Sequence, residues 1–276
     1  MEKEKRVLTL YIIFVFIISA FIQAIWIHSG KEGSPISQLL MVVPMIVAVA
    51  LKLKYYKKQS VLGFRAGKPV YYVLAVALPL GYIGLGYAAY WLFVPGTYIG
   101  TGLLLEAATG AVPIQNLPVA VAIAFGSTIL VSMIGSLGEE VGWRGLMYPI
   151  MQRLWGRNRA LITSGLIWAV WHMPLIIGGV YNTGAALWYA IPMFTVQILA
   201  MTVIVSWLRT KSGSVWPAAI WHTMQNFINQ VVFRSMTTVD NSAYFIDETG
   251  FISTLSVVLF AVLILVFGKF DKKAVS

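Results

Sequence analysis

The stretch VAVAIAFGSTILVSMIGSLGEEVGWRG (residues 119–145) decides the fold, because it joins a long apolar run to two adjacent acids. Residues 119–137 carry no charged side chain, which is typical of a helix that crosses a membrane. Glu139 and Glu140 follow this run and are two of only 10 Asp and Glu residues in the chain of 276. An unpaired carboxylate in apolar surroundings costs several kcal/mol. The sequence therefore predicts that both acids have partners.

The composition indicates an all-α, polytopic membrane protein. Hydrophobic residues make up 59% of the chain and charged residues 11%, whereas about a quarter of the residues in soluble domains are charged. The absence of cysteine excludes disulfides, thiolate metal sites and a thiol nucleophile. The net charge of +10 comes from basic residues at the ends of apolar runs, so it indicates membrane orientation and not nucleic-acid binding.

Long apolar runs predict eight transmembrane helices in a single integral membrane domain over residues 1–276. The runs cover residues 7–28, 36–53, 69–94, 117–138, 159–178, 185–208, 214–233 and 251–268. The first run follows the basic start MEKEKR and is too long for a secretory signal, so we expect a retained span. Segment 145–158 mixes apolar and basic residues and is predicted to lie along the cytoplasmic interface.

The basic residues alternate from one side of the predicted bundle to the other. Eighteen of the 20 Lys and Arg residues fall in the N-terminal tail, in every second polar connection and in the C-terminal tail. The positive-inside rule then places both termini in the cytoplasm of a multi-pass cell-membrane protein, with lipids as its surroundings.

Two histidines inside predicted spans are the other candidates for acid–base chemistry. His172 lies in the fifth span and His222 in the seventh, with Asn226 one helical turn after His222. Glu140 and Arg144 are also four residues apart, as are Trp168 and His172.

Carboxylate and imidazole groups can hydrolyse bonds in two ways. A carboxylate with the imidazoles of His172 and His222 could hold a divalent metal such as Zn²⁺, with an open position for water. Alternatively, Glu and His act as a general base on water while His and Asn stabilise an oxyanion. Other interpretations stay open: a structural ion pair with interhelical hydrogen bonds, a proton-coupled transporter, or a non-catalytic immunity or scaffold protein.

Three motifs in this order resemble the CPBP family, the CAAX-protease and bacteriocin-processing intramembrane proteases, similar to the type II CAAX prenyl endopeptidase. They are EExxxR (Glu139, Glu140, Arg144), an aromatic residue four before His (Trp168, His172) and HxxxN (His222, Asn226), within a core of residues 117–233.

The resemblance implies an eight-helix endopeptidase whose cavity opens to the cytosol and which cuts a membrane-associated or lipid-modified peptide or protein near the cytosolic face. It further implies that Glu140 and His172 activate water, that His222 and Asn226 bind metal or stabilise the oxyanion, and that Glu139 and Arg144 support them. The family usually has Phe where this chain has Trp168, which we expect to line the substrate pocket.

The depth of the candidate residues in the membrane predicts how far the fourth helix continues. His172 lies about 13 residues into its span, or on the order of 20 Å at 1.5 Å per residue, whereas Glu140 ends its own span. For the two side chains to meet, we expect the fourth helix to continue to about Met147, with the site in the cytoplasmic half of the membrane. A separation above about 10 Å between Glu140 and both histidines would contradict a shared site, since hydrogen-bonding groups must lie close together.

Overall fold

The computed structural model describes residues 1–30, 36–101, 117–238 and 240–270, and these residues are overwhelmingly helical. The longer elements, in chain order, are α1 (Glu2–Ser29), α2 (Ile36–Tyr55), α3 (Val70–Phe93), α4 (Leu117–Glu140), α5 (Tyr148–Trp155), α6 (Arg157–Ile177), α7 (Leu187–Ser212), α8 (Trp216–Asn226), a four-residue α9 (Ser242–Phe245) and α10 (Phe251–Phe267). Each predicted span overlaps one of these helices. Within the described ranges, the only strand-like pairing is an isolated bridge between Tyr98 and Thr237.

The helices confirm an all-α, multi-pass membrane fold. Among the described residues, five helices are long and apolar enough to cross a membrane: α1, α2, α3, α6 and α7. Helix α10 is a shorter apolar helix, and α8 passes directly into a π-helix at Phe227–Phe233. Residues 31–35, 102–116, 239 and 271–276 lie outside the described residues, so the connection between α3 and α4 is described only in part.

The basic segments meet at one end of the helix bundle, which we call the basic end. Arg153 Nε lies 2.5 Å from Glu4 Oε1 near the N-terminus. Arg157 Nη1 donates to the carbonyl of Phe270 at 3.0 Å. The connection after α7 joins the same end, because Arg65 Nε donates to the carbonyl of Gly213 at 2.6 Å. The N-terminus and residues 269–270 therefore lie on the same side of the bundle.

Contacts between the other connections define the opposite end. The Tyr189 hydroxyl donates to the carbonyl of Tyr244 at 2.6 Å, which ties the start of α7 to the connection before α10. Trp91 Nε1 donates to Thr237 Oγ1 at 2.9 Å near the end of α3. The alternation of polar segments that the sequence predicts is thus reproduced by the fold.

Two glycines allow α2 to approach the acidic stretch closely. A Cβ atom on Gly138 would lie 2.6 Å from the carbonyl oxygen of Met41, and one on Gly142 would collide with Tyr11 and Pro44. Small residues permit such helix contact in membrane proteins, where packing must replace the hydrophobic effect as the force between helices. The glycines on each side of Glu139 and Glu140 therefore fix the position of both carboxylates.

The helix that carries the two acids does not stop at Glu140. It continues as a π-helix over Val141–Met147 and then as α5, which confirms the prediction of a helical extension to about Met147. A second π-helix, Phe227–Phe233, begins directly after Asn226. Such π-helical turns are frequent at functional sites. The segment predicted to lie along the interface differs from that prediction, because residues 145–152 are buried among neighbouring helices.

Candidate active site

Glu139 is held by two tryptophans. Its Oε2 accepts a hydrogen bond from Trp168 Nε1 at 2.8 Å and another from Trp143 Nε1 at 3.2 Å. Trp143 lies one helical turn after Glu139, so the helix itself supplies one of the two donors. The carboxylate is 2% exposed and lines a large internal cavity.

Glu140 faces a different set of partners and is completely buried. Its Oε1 accepts from Arg144 Nη1 at 3.0 Å and lies 2.9 Å from His222 Nδ1. Arg144 is held in turn by Thr202, whose hydroxyl lies 3.3 Å from Nη2. Glu140 thus meets the condition for a shared site through His222, but it does not line the large cavity.

The hydrogen bonds of the two histidines define which ring nitrogen is free. His172 Nδ1 lies 2.9 Å from the carbonyl oxygen of Trp168, which can only accept, so Nδ1 carries the proton. His222 Nδ1 faces Glu140 in the same way. In each ring Nε2 remains for chemistry. An orienting acceptor on one ring nitrogen is the usual arrangement for catalytic and metal-binding histidines.

Trp168 lies at the centre of these groups. Its ring centroid is 5.6 Å from that of His222 and 6.0 Å from that of His172, and the Arg144 guanidinium lies 4.1 Å from it. The side chain is 3% exposed and is not part of the large cavity wall, although it does line a small void behind the site. The indole N–H of Trp168 thus holds Glu139, and a role of Trp168 in the substrate pocket stays a prediction.

A cavity of about 650 Å³ gives access to the site. Four of the predicted site residues line it: Glu139, His172, His222 and Asn226. Glu140 and Arg144 lie behind its wall. Apolar side chains such as Met41, Val131 and Phe227 form part of the wall, alternating with hydroxyl and amide groups.

The direction of the cavity bears on two of the sequence-based expectations. It extends from Glu139 to residues 180–184 and 242–249, which belong to the end opposite the basic end. The N-terminus and residues 269–270 lie at the basic end. A cavity that opens to the cytosol and an N-terminus in the cytoplasm are therefore alternatives in this fold, and both stay predictions.

The prediction of a metal ion depends on how closely the donor side chains approach one another. Among the described residues, no group of three or more His, Cys, Asp and Glu side chains is placed to hold one. Oε1 of Glu140, one of the predicted ligands, contacts Arg144 and His222, whereas its Oε2 is buried without a hydrogen-bond partner. Binding of Zn²⁺ stays a prediction.

Several residues of the site were not found from the sequence. The contact of Trp143 with Glu139 could have been predicted, because the two residues are four apart on one helix. The contacts of Thr202 and Tyr181 could not, because these residues come from other helices or connections. Tyr181 stacks on His172 with centroids 5.7 Å apart, and its hydroxyl contacts Glu248.

The chain is similar to known proteins in the region that contains this site. Residues 121–228 match the family model described as type II CAAX prenyl endopeptidase Rce1-like. The chain is also 27% identical over 143 residues to a protein from Methanococcus maripaludis named CAAX prenyl protease 2. That alignment covers 49% of this chain and 50% of the relative, so the chain spans about half the length of the curated protein it matches. The matched region contains every predicted site residue.

Proposed function

We propose, from the match of residues 121–228 to the family model described as type II CAAX prenyl endopeptidase Rce1-like, that this protein is an intramembrane endopeptidase. The observation that carries the proposal is the joint exposure of Glu139, His172, His222 and Asn226 to one cavity. A carboxylate, two imidazoles and an amide are sufficient for the addition of water to a peptide carbonyl.

Glu139 is the better candidate for water activation than Glu140. Two indole N–H groups fix its Oε2, and the carboxylate lines the cavity beside His172. A water bound between Glu139 and His172 Nε2 would lose its proton to one of these groups as it attacks the peptide carbonyl. The same proton would then pass to the leaving amine. This exchanges the roles that the family resemblance implied for the two acids.

His222 and Asn226 would stabilise the oxyanion. Asn226 lies one turn after His222 and lines the same cavity, so its amide N–H and the protonated Nε2 of His222 can both donate to it. An ionised Glu140 next to Nδ1 stabilises the charge that His222 carries as such a donor. Arg144 keeps Glu140 in place. Arg144 and Glu140 therefore both support catalysis indirectly, through the charge and position of His222.

The surroundings of the bundle support a membrane location. Large apolar side chains such as Phe21, Trp188 and Phe267 are 70%, 78% and 73% exposed, which fits contact with lipid chains. The basic end, which includes the N-terminus and residues 269–270, would lie in the cytoplasm by the positive-inside rule. The substrate class follows from the family: a membrane-associated or lipid-modified peptide or protein.

Cleavage by purified protein tests the proposal. Fluorogenic peptides, with and without a prenylated CAAX terminus, would be added to protein in proteoliposomes. We expect Glu139→Gln to lower kcat by at least about 10²-fold, the usual contribution of a positioned general base. Glu4→Gln, an acid at the basic end, is the matched control and should leave kcat unchanged. Unaltered cleavage by Glu139→Gln would reject this role.

The separate prediction of Zn²⁺ calls for a direct measurement. Elemental analysis of protein purified without chelator would give the metal content per chain, beside an Asn226→Ala/His222→Ala variant. A stoichiometric metal that the double variant loses would restore the metal-dependent mechanism. Cleavage that survives chelation would favour the metal-independent one.

A further inference from the structure

We propose that Arg209 is a positioning residue, which holds the π-helix Val141–Met147 in the register on which the two buried acids depend. Its Nε–H takes the place of a backbone hydrogen bond that this helix cannot make. The effect expected on cleavage rests on the proposed endopeptidase function. The hydrogen bond and the helical register do not, because they follow from the sequence and the fold.

The backbone carbonyl of Arg144 lacks both donors that its own helix could offer. In an α-helix it would accept from the N–H four residues later, which is that of Tyr148. That N–H donates instead to the carbonyl of Trp143, five residues before it, in the π-helical pattern. The π-helical donor to Arg144 would then be residue 149, but Pro149 has no N–H. One buried carbonyl oxygen is therefore left without a partner within its helix.

Arg209, near the end of α7, supplies the missing donor. Its Nε lies 3.1 Å from the carbonyl oxygen of Arg144, and both residues are buried. A buried carbonyl without a hydrogen bond is unfavourable and rare in folded proteins. A guanidinium is also a stronger donor than a neutral N–H, because the hydrogen bond is charge-assisted. The contact therefore stabilises the π-helical register against the α-helical one, in which Tyr148 would donate to this carbonyl.

Helix α7 holds Arg144 at two points. Thr202 lies about two helical turns before Arg209 and therefore on the same face of α7, given 3.6 residues per turn. The Thr202 hydroxyl lies 3.3 Å from Arg144 Nη2, whereas Arg209 contacts the backbone carbonyl. Arg144 donates in turn to Glu140 Oε1, which lies 2.9 Å from His222 Nδ1. A shift of the Arg144 backbone would therefore reach the carboxylate that orients His222.

The surroundings of the Arg209 side chain direct it to this one contact. The connection between α2 and α3 packs against its guanidinium, since a Cβ atom on Gly63 would lie 2.5 Å from Nη2. The carbonyl of Gly63 accepts from the N–H of Val215 at 2.8 Å, which fastens this connection to the segment after α7. Nη1 of Arg209 is buried and has no hydrogen-bond partner among the described residues. A buried cation with so few partners recovers little of its desolvation cost, so packing alone does not account for an arginine here.

Exchange of one donor for another tests the proposal. Arg209→Met removes the donor, Arg209→Lys keeps a cationic one, and Pro149→Ala gives residue 149 an N–H. We expect Arg209→Met to lower kcat at least about tenfold with KM within about twofold, because small displacements of catalytic groups mainly reduce kcat. Arg209→Lys should keep more of the rate. In Arg209→Met/Pro149→Ala the new N–H can donate to the carbonyl of Arg144, so kcat should return to within about threefold of the wild type.

Arg65→Met is the matched control for the loss of a guanidinium. Arg65 Nε donates to the carbonyl of Gly213 at 2.6 Å, which is the same kind of bond but lies outside the π-helix. Its kcat should equal that of the wild type. An equal loss of kcat in Arg65→Met and Arg209→Met, or a double variant as slow as Arg209→Met, would overturn the proposal.

Thermal unfolding in detergent tests the hydrogen bond without reference to cleavage. The wild type, Pro149→Ala, Arg209→Met and the double variant form a double-mutant cycle. Pro149→Ala should raise the unfolding temperature of Arg209→Met and should not raise that of the wild type. If Arg209→Met yields no folded protein, recovery of folded protein in the double variant gives the same answer.

The two measurements separate the possible failures. Additive effects in the cycle would overturn the exchange of donors and with it the proposal. A non-additive cycle with an unchanged kcat for Arg209→Met would reject the positioning role. A non-additive cycle without any cleavage by the wild type would reject the proposed function and keep the role of Arg209 in the helical register.

Discussion

Two regions of the molecule each contain a pair of neighbouring acids with very different surroundings. Glu139 and Glu140 are 2% and 0% exposed inside the helix bundle, and Glu248 is 6% exposed beside Asp247 at the opposite end. Both regions include a guanidinium, Arg144 beside Glu140 and Arg234 beside Asp247, but only the first pairs an acid with an imidazole among the described contacts. In the second, Glu248 accepts from Tyr181, from Asn182 at 3.1 Å and from Gln230 at 3.0 Å.

The difference shows that the partner, not the acid, decides what a buried carboxylate can do. Neutral donors around Glu248 fasten the connection before α10 to α6 and to the π-helix, but nothing there can shuttle a proton to a substrate. Histidines next to Glu139 and Glu140 can accept and return protons.

Loss of His172 should affect catalysis most strongly among the histidine and tryptophan positions. His172→Ala removes the Nε2 that we propose to bind the attacking water, so we expect kcat to fall by about 10²–10⁴-fold. The cleavage assay in proteoliposomes measures this change. His28→Ala, at the exposed end of α1, is the control and should match the wild type. A His172→Ala rate within about twofold of the wild type would contradict a role in water activation.

Loss of Glu140 should affect stability more than any change near Glu248. Glu140→Ala leaves Arg144 buried without its carboxylate, and breaking a buried ion pair in this way costs about 3–5 kcal/mol. Thermal unfolding in detergent would show a lowered transition, whereas Glu2→Ala at the exposed N-terminus should not. A double variant, Glu140→Gln/Arg144→Met, should recover part of the loss. An unchanged transition for Glu140→Ala would show that the pair contributes little.

Loss of the indole N–H of Trp168 should lower the cleavage rate moderately. Trp168→Phe keeps an aromatic ring but deletes the 2.8 Å hydrogen bond to Glu139, and a bond to a charged group is worth about 1.5–3 kcal/mol. We therefore expect kcat to fall by about tenfold with KM almost unchanged, because the ring does not line the large cavity. Trp188→Phe, on the lipid-exposed surface, serves as the control. A change confined to KM would indicate that Trp168 contacts substrate instead.

The smallest effect is expected for the pH dependence of stability around Glu248. Burial raises the pKa of Glu248 above its ordinary value, and the neighbouring Asp247 carboxylate adds to the shift. The folded protein therefore keeps a proton that the unfolded chain releases above about pH 4.3. Stability should fall as the pH rises from there through the folded-state pKa.

Glu248→Gln cannot titrate, so its unfolding temperature should fall less than that of the wild type between pH 4 and pH 8. Melting curves of both proteins across that range give the two slopes. Parallel slopes would contradict the raised pKa of Glu248. Cleavage by Glu248→Gln should remain close to the wild-type rate, because Glu248 does not touch the proposed catalytic groups.

Much of the architecture could be predicted from the sequence because the membrane restricts the choice of structure. Long apolar runs can only be helices with paired backbone groups, and the alternation of basic residues fixed which connections lie together. Ionisable groups are rare within such runs, so the sequence also identified the candidate site residues Glu139, Glu140, His172 and His222.

What the sequence could not predict depends on rotation around a helix and on contacts between distant helices. Neighbours such as Glu139 and Glu140 differ by about 100° in direction on a helix, given 3.6 residues per turn, and only packing decides which one faces the cavity. Glycines at positions 138 and 142 set that packing through α2 and Tyr11. The burial of Glu248 could not be predicted from the sequence, because its partners Tyr181 and Gln230 are distant from it in the chain.

The relative rates of Glu139→Gln and Glu140→Gln test the central claim most directly. Both variants would be purified, checked for the wild-type far-ultraviolet circular dichroism spectrum and assayed with the same cleaved peptide. The side chain that faces the cavity should matter more, so we expect the kcat of Glu139→Gln to lie at least about tenfold below that of Glu140→Gln. Equal rates, or a lower rate for Glu140→Gln, would contradict the assignment of Glu139 as the carboxylate that activates water.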